Sequence, residues 1–418
     1  MTRRRQLEEA ARVTELFRPA ADWELQTMLA GLLSRGQPVE VVGAGTKRGV
    51  GRPVNGAALI TTASLRGMPL YEPNELVMTA RAGTSLAHIE KELAAQGQML
   101  AFEPVDLGPA TGSPPDMQTI GAVFAANLSG SRRILAGAAR DHLLGVVGVN
   151  GRAEIFKSGG RVMKNVTGYD LARGLAGSWG TLAVMTQVTF KLLPAPEKTT
   201  TLLFPNLPDD IAVELLCAAM GLPYEVSGAI HLPAGLVARL EHDQLRATGA
   251  SLTALRLENF EKSVAYRKGK LKELLKVYGH PFEIEDGDSL SFWAELKRLS
   301  VLPYGPTLLW RISTAPKQGP KVVASVKRHM EAEAFYDWSG GLIWLEVPAS
   351  ADAGASDIRR AVAVHGGYAT LIRADEQVRG SVEVFQPLSP AHERLSRGLK
   401  AAFDPTGLLN PGRMYATM

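Results

Sequence analysis

The sequence holds little cysteine, little net charge and no long apolar run, and each shortage removes a class of protein. One cysteine, Cys217, stands among 418 residues. A single thiol makes no intrachain disulfide and cannot hold an iron–sulfur cluster alone, which fits a reducing compartment. Lysine and arginine number 46 against 42 aspartates and glutamates, and the net charge of +4 argues against a dedicated nucleic-acid binder. The one dense basic run is Arg3, Arg4 and Arg5, next to a terminus. No stretch approaches the ~20 apolar residues of a membrane-spanning helix. The opening "MTRRRQLEEAARVTELFRP" lacks the apolar centre of a secretion signal. The eight histidines are scattered, with no pair at the spacing of a metal site. The expectation is a cytoplasmic chain with no metal, peripheral to a membrane only through partner subunits.

What is present is ordinary globular material. Hydrophobic residues make up 45% and charged residues 21%, enough for a large core, and the length allows two or three domains. As far as about Pro196 the chain is glycine-rich, with short β-type runs such as "PVEVV", "ALITT", "ELVMTARAG", "LLGVVGV" and "TLAVMTQVTFKLLP". One helix is marked there. In "TSLAHIEKELAAQG", Leu86, Ile89 and Leu93 share a face, Thr84 or Ser85 can cap the start and Gly97 can end it. "PAPEK", from Pro194 to Lys198, reads as a boundary. Beyond it, β runs alternate with amphipathic helices in "PDDIAVELLCAAMG", in "ENFEKSVAYRKGKLKELLKVYG" and over 320–333 ahead of the strand "GLIWLEVP". That alternation suggests an α+β layer on the first domain. "HERLSRGLKAAFDPTGLLNPGRMY" reads as one helix and a turn-rich tail, and no repeat is visible.

The stretch "VVGAGTKRGVGRPV", from Val41 to Val54, puts four glycines and a Lys–Arg pair behind a β-branched run. A phosphate loop works by converging backbone N–H groups on an anion, and glycine permits the close approach. A dinucleotide fingerprint needs G-x-G-x-x-G opening a helix. Here Gly43 and Gly45 fit, but Arg48 occupies the third place, Gly49 is one residue late, and Gly51, Pro53 and Asn55-Gly56 break the chain before a strand. The unit is therefore strand, loop, strand: a nest of N–H donors with Lys47 and Arg48 as cations, or a basic surface turn. A second segment, "DMQTIGAVFAANLSGSRR", offers small residues at Thr119-Ile120-Gly121-Ala122 ahead of a short apolar helix. A third, "LAGSWGTLAVMTQVTFKL", sets Gly177, Ser178, Gly180 and Thr181 ahead of a strand. Each is weak alone, and their joint presence in one zone is the signal.

In this order the segments resemble the vanillyl-alcohol oxidase superfamily, flavoproteins with a PCMH-type FAD-binding domain. "PVEVVGAGTK", "RAGTSLAHIEKEL", "TIGAVFAANLSG" with "ARDHLLGVVGVNG", "GSWGTLAVMTQVTFKLLP" and "FDPTGLLNPGRM" carry the resemblance. "SGGRVMKNVTGYDLARGLAGSWGTLAVMTQVTFKLLP", "FYDWSGGLIWLEV" and "GGYATLIRA" are most similar to FAD-binding E subunits of bacterial glycolate oxidases. The resemblance implies an α+β fold: an N-terminal helical extension over 1–22, a PCMH-type FAD-binding domain of two α+β subdomains over 23–196, an α+β cap with an antiparallel sheet over 197–380, and a helical return to the FAD domain over 381–418. It implies FAD with its pyrophosphate between two loops. The first loop gives Gly43, Ala44, Gly45, Thr46 and Lys47, and the second gives Thr119, Gly121, Ala122 and Gly130. The closing strand gives Gly180, Thr181 and Val184, and Asn410 and Arg413 lie near the flavin. Many members tether FAD through a histidine or cysteine beside a phosphate loop. None lies between Val39 and Val54, and His142 in "ARDHLL" reads as packing or capping, so FAD is expected to be non-covalent.

Hydride transfer from a 2-hydroxy acid needs a base for the hydroxyl proton and a cation for the carboxylate. The candidates in "GRVMKNVTGYD" are Arg161, Lys164, Tyr169 and Asp170, with Arg373 in "TLIRADE" of similar standing. Solvated or structural roles compete for each of them. Three functions follow. The first is the FAD subunit of a glycolate oxidase complex, working with a second flavin subunit and an iron–sulfur subunit, since one cysteine leaves onward electron carriers elsewhere. The second is a stand-alone FAD-dependent oxidoreductase using NAD(P)H or another small substrate. The third is a non-catalytic scaffold, with Phe335, Tyr336, Trp338 and Trp344 as a docking surface or, equally, as strand core.

Overall fold

The computed structural model describes residues 15–54, 58–161 and 168–418. Strands β1 (Glu15–Phe17), β2 (Val39–Val42) and β3 (Ala58–Thr61) form a parallel sheet in the order β1-β3-β2. The expected helical extension is thus, in its described part, a strand. Pro19 disfavours helix in the residue before it, and Phe17 packs on the core of this sheet. The helix Asp22–Ser34 buries Leu25, Leu29 and Leu32 on the same core, and Asp22 and Glu24 in its first turn suit the helix dipole.

A second, antiparallel sheet contains β4 (Leu70–Glu72), β5 (Val77–Arg81), β7 (Leu143–Asn150), β8 (Ile155–Gly159) and β9 (Ala183–Lys191), ordered β4-β5-β9-β7-β8. A small ribbon pairs β6 (Gln98–Met99) with β10 (Leu193–Pro194). The helix expected in "TSLAHIEKELAAQG" runs Leu86–Ala95 and buries Leu86, Ile89 and Leu93. Neither expected cap serves it: Ser85 makes no side-chain cap bond, and the Thr84 hydroxyl instead joins the N–H and C=O of Gly67. The helix Ile120–Ala126 lies against β5 and β9 and ends at Asn127 in a left-handed conformation (φ 50°).

The remaining strands are β11 (Lys198–Pro205), β12 (Gly228–Leu232), β13 (Leu252–Asn259), β14 (Phe282–Glu285), β15 (Leu308–Ser313), β16 (Glu333–Asp337), β17 (Leu342–Val347) and β18 (Tyr368–Arg373). They form one antiparallel sheet, β14-β11-β13-β12-β16-β17-β15-β18. It consists of two β-α-β-β-α-β units. The helices Asp209–Met220 and Glu261–Leu274 serve the first, and Gly319–Lys327 and Ala355–His365 the second. The units meet through the second strand of each, at the single register pair His231–Tyr336. The topology therefore repeats where the sequence shows no repeat.

Both faces of this sheet are buried. Leu202, Phe204, Leu255, Leu257, Trp310, Ile312, Ile343 and Leu345 pack under the helices, while Leu203, Ala254, Leu309, Phe335, Leu342 and Trp344 join the core shared with the β4-β5-β9-β7-β8 sheet. Phe335, Tyr336, Trp338 and Trp344 are all buried, so they are core and not a docking surface. The helix Pro390–Phe403, capped by Ser389, leads the tail back to β2, where Val39 N–H donates to Leu408 O and Asn410 N–H to Val39 O, at 2.9 and 3.0 Å. Among the described residues no helix is long and apolar enough to cross a membrane.

Candidate functional site

A cleft of about 690 Å³ opens where β2, β9, the helix Ile120–Ala126 and the C-terminal tail meet. Its first wall is the loop that leaves β2. Gly45 has φ +82°, and Arg48 N–H donates to Gly45 O at 3.1 Å to close the turn. The carbonyls of Val42 and Gly43 are taken by the hydroxyls of Thr62 and Thr61, at 3.3 and 2.7 Å. The amides of Ala44, Gly45, Thr46 and Lys47 donate to no acceptor among the described residues. Four free donors on consecutive residues are the arrangement that receives an anion.

Two buried cations stand with them. Lys47 donates to Gln118 Oε1 at 3.0 Å and meets no carboxylate within 4 Å among the described residues. Burial lowers its ammonium to about 8, with Asp106 opposing. Arg413 donates to Lys47 O at 2.6 Å and lies 3.5 Å from Glu40 Oε1, while its Nε is buried without a partner. Burial brings it down to about 10, against the pull of Glu40. Arg48 is engaged differently: it grips both oxygens of Glu40, at 3.0 and 2.6 Å.

The second wall needs small residues. A Cβ on Gly43 would stand 2.3 Å from Thr119 Oγ1, itself buried without a hydrogen bond, and one on Gly121 would stand 2.6 Å from Ala82 Cβ. The third wall is the turn before β9. Gly180 (φ +72°) leaves room for Asn410, whose Nδ2 donates to Trp179 O at 2.9 Å and whose Oδ1 accepts from Val41 N–H at 2.8 Å. One side chain thus ties the first and third walls.

Of the residues expected at the cofactor, Gly43, Ala44, Gly45, Thr46, Lys47, Gly121, Ala122, Gly180, Val184 and Arg413 line the cleft. Thr119 and Asn410 support it from behind, as does Thr181, whose hydroxyl is turned to Ser178 O at 2.7 Å. Gly130 is elsewhere. Its N–H donates to Phe102 O, its O accepts from Trp338 Nε1, and a Cβ there would stand 2.3 Å from Glu103 O, so it closes the seam with the cap. Trp179, Ala125, Ala126 and Met185 also line the cleft and were not anticipated. The signal for Trp179 was an aromatic inside the "GSWG" turn, held at φ 54°.

The expected catalytic group is not gathered at the cleft. Arg161 is exposed and borders a separate pocket with Lys157 and Gln187, Tyr169 is 88% exposed, and Lys164 lies outside the described residues. Asp170 accepts from Arg173 N–H at 3.1 Å as a helix cap. Arg373 is buried and saturated by Glu346, Thr307 and the carbonyls of Ala110, Leu302 and Pro303. His142 is buried against Phe102 with its Nε2 on Ala136 O, and burial lowers its pKa.

Comparison with known proteins agrees with this geometry. Residues 14–159 match the family described as FAD binding domain. The chain is 33% identical to the glycolate oxidase subunit GlcE of Escherichia coli over 91% of its own length and 93% of that protein. It is 28% identical to the glycolate oxidase subunit GlcD of Bacillus subtilis, over 72% of this chain and 70% of that one. The crystal structure of p-cresol methylhydroxylase with substrate bound shares the fold, with a TM-score of 0.71 at 14% identity, covering 96% of this chain and 88% of the other. With a free-amide loop, two buried cations and this length of shared sequence, the chain belongs to the family of FAD-binding glycolate oxidase subunits typified by GlcE.

Proposed function

We propose that this chain is the FAD-binding subunit of a glycolate oxidase complex and holds FAD non-covalently in the cleft. The observation that carries this reading is the run of free amides from Ala44 to Lys47 beside the buried, carboxylate-free Lys47. These groups would hold the two negative charges of a pyrophosphate, with Arg413 behind the loop. Trp179, Ala125, Ala126 and Met185 would give a flavin its apolar cover. Bound FAD supplies a two-electron acceptor. The chain's own part is to bind it, orient it and keep its surroundings dry. No histidine, cysteine or tyrosine lines the cleft among the described residues, which supports a non-covalent cofactor.

The relatives' names add glycolate as the 2-hydroxy acid and a further subunit as partner; two-electron oxidation of glycolate gives glyoxylate, and a flavin on the partner is what the family resemblance implies. The lone Cys217, half-buried and raised in pKa by burial, supports an iron–sulfur carrier on a further subunit. The test has two stages. Gently purified protein is expected to be yellow, and acid precipitation should release all the FAD to the supernatant. Colourless protein that takes up no added FAD overturns the reading. The anaerobic flavin band is then followed with glycolate, alone and with the partner subunits. Bleaching that needs the partners places the chemistry in the complex, and bleaching by glycolate alone makes the chain self-sufficient.

A further inference from the structure

Most buried arginines at the seam between the FAD-binding part and the cap are paired with acids. Arg256 grips both oxygens of Glu103 at 2.7 and 2.9 Å, Arg132 meets Glu258, and Arg373 meets Glu346 at 2.6 Å. Arg133 and Arg311 are different. Both are half-buried, and neither meets a carboxylate within 4 Å among the described residues. Instead they share one indole. The guanidinium carbon of Arg133 lies 4.4 Å from the centre of the Trp338 ring and that of Arg311 5.1 Å from it. Arg311 is also 6.0 Å from the Trp344 ring, its partner across the sheet. Tyr368 on the next strand, opposite Ser313, sets its hydroxyl beside Arg311.

Two cations gathered on one ring repel each other, and among the described residues the Tyr368 hydroxyl beside Arg311 answers them in place of a carboxylate. The acid that acts on Arg311 is Asp337, whose oxygens accept from the Ser131 hydroxyl at 2.7 Å and from Trp338 N–H at 2.6 Å. Burial raises Asp337 to about 6. Burial lowers Arg311 and the charge of Arg133 adds to this, while Tyr368 and, more weakly, Asp337 oppose it. Burial alone would raise the Tyr368 phenol, but Ser313 and the two arginines leave it below the usual value. A cavity of about 330 Å³ is lined by the neighbouring Asp337 and Trp344, and by neither arginine nor Tyr368. The sheet that carries Arg311 and Tyr368 is linked to the cofactor cleft by packing. The cleft's Trp179 stacks edge-on with Phe385 at 5.7 Å, and the preceding Val384 accepts a hydrogen bond from Leu371 on the strand of Tyr368.

We propose that Arg133, Arg311 and the Tyr368 hydroxyl form a binding site for a small carboxylate at the domain seam, and that the carboxylate is that of the 2-hydroxy acid. The identity of the acid rests on the glycolate oxidase reading, whereas the charge and size of the ligand do not. Guanidinium forks match a planar carboxylate, and stacking on Trp338 fixes both forks in place.

The test is calorimetric titration of the FAD-loaded full chain, with its partner subunits, by glycolate, by uncharged ethylene glycol and by phosphate. Glycolate is expected to bind and ethylene glycol is not. Arg311→Gln and Arg133→Gln should each weaken glycolate by about tenfold to hundredfold. Arg311→Lys should recover part of the loss, with FAD content and melting temperature unchanged. If the glutamine variants fail to fold, the half-exposed Tyr368 decides: Tyr368→Phe should weaken glycolate several-fold. Unchanged affinity in the variants that fold, or phosphate displacing glycolate at equal concentration, overturns the proposal. Binding that depends on both arginines, in a complex that does not oxidise glycolate, sustains the carboxylate site and removes glycolate oxidation instead.

Discussion

The cofactor cleft and the domain seam both bury cations, but they use them in opposite ways. At the seam, Arg256, Arg132, Glu103 and Glu258 exhaust one another: burial alone would raise Glu103, yet Arg256 and Arg132 bring it down to about 2. In the cleft, the Lys47 ammonium has an amide oxygen and a threonine hydroxyl in place of a carboxylate, and four amides beside it have no acceptor among the described residues. Saturated buried polar groups hold a fold together, and unsaturated ones mark where something else belongs. Arg133 and Arg311 lie in the seam but follow the pattern of the cleft, which is why they read as a site.

The largest effect should come from breaking the saturated side. Arg256→Ala leaves Glu103 buried beside one arginine, and unfolding by denaturant should lose about 3–5 kcal/mol. A loss under about 1 kcal/mol would show that the seam is solvated and that the contrast fails. Because Glu103 is depressed in the fold, its contribution is complete above the unfolded value near ~4.3 and disappears as pH falls toward 2. Arg256→Ala should therefore flatten acid unfolding in that window. The next effect belongs to the cleft. Gly43→Ala forces a Cβ onto Thr119 Oγ1 and should cut FAD affinity by about tenfold or more while leaving the fold intact. Placing the same change in a Thr119→Ala background should restore most of the affinity, since the remaining neighbours of that Cβ stand at 3.5 Å. Additive losses in the double variant would show that Gly43 matters for backbone freedom and not for space.

The same contrast decides what was legible in the sequence. Gly43, Gly45, Gly121 and Lys47 were expected together because an anion cradle demands glycine and a cation close to one another, and the fold brings them to one cleft. Gly130 misled, since a glycine needed by the Glu103 carbonyl looks the same in sequence as one needed by a phosphate. Arg132 and Arg133 are adjacent, yet one is paired with Glu258, 126 positions away, and the other meets the Trp338 ring and no carboxylate among the described residues. Only the folded cap separates them. The doubled β-α-β-β-α-β topology left no trace because both faces of its sheet are buried. Segments such as "LLWRIS" and "LIWLEV" then carry apolar residues on both faces and lose the alternation that marks a strand's faces.

The smallest effect should come from Lys47, and its sign is the most informative. Lys47→Met removes a buried cation that has no carboxylate, so the FAD-free protein should be no less stable than the parent and more stable below pH 8. The reason is linkage: a lysine lowered to about 8 in the fold, against an unfolded value near ~10.4, opposes folding in its charged form, and that cost fades as pH rises from 8 to 10.4. FAD binding should respond in the opposite direction. A bound pyrophosphate stabilises the ammonium, so parent affinity should fall as pH passes 8, and Lys47→Met should lose about tenfold at pH 7 and show no such fall. Equilibrium dialysis of FAD against pH, beside melting curves of the FAD-free forms, measures both arms. If Lys47→Met destabilises the FAD-free protein and leaves FAD affinity unchanged, Lys47 belongs with the saturated arginines of the seam, and the cleft loses its free cation.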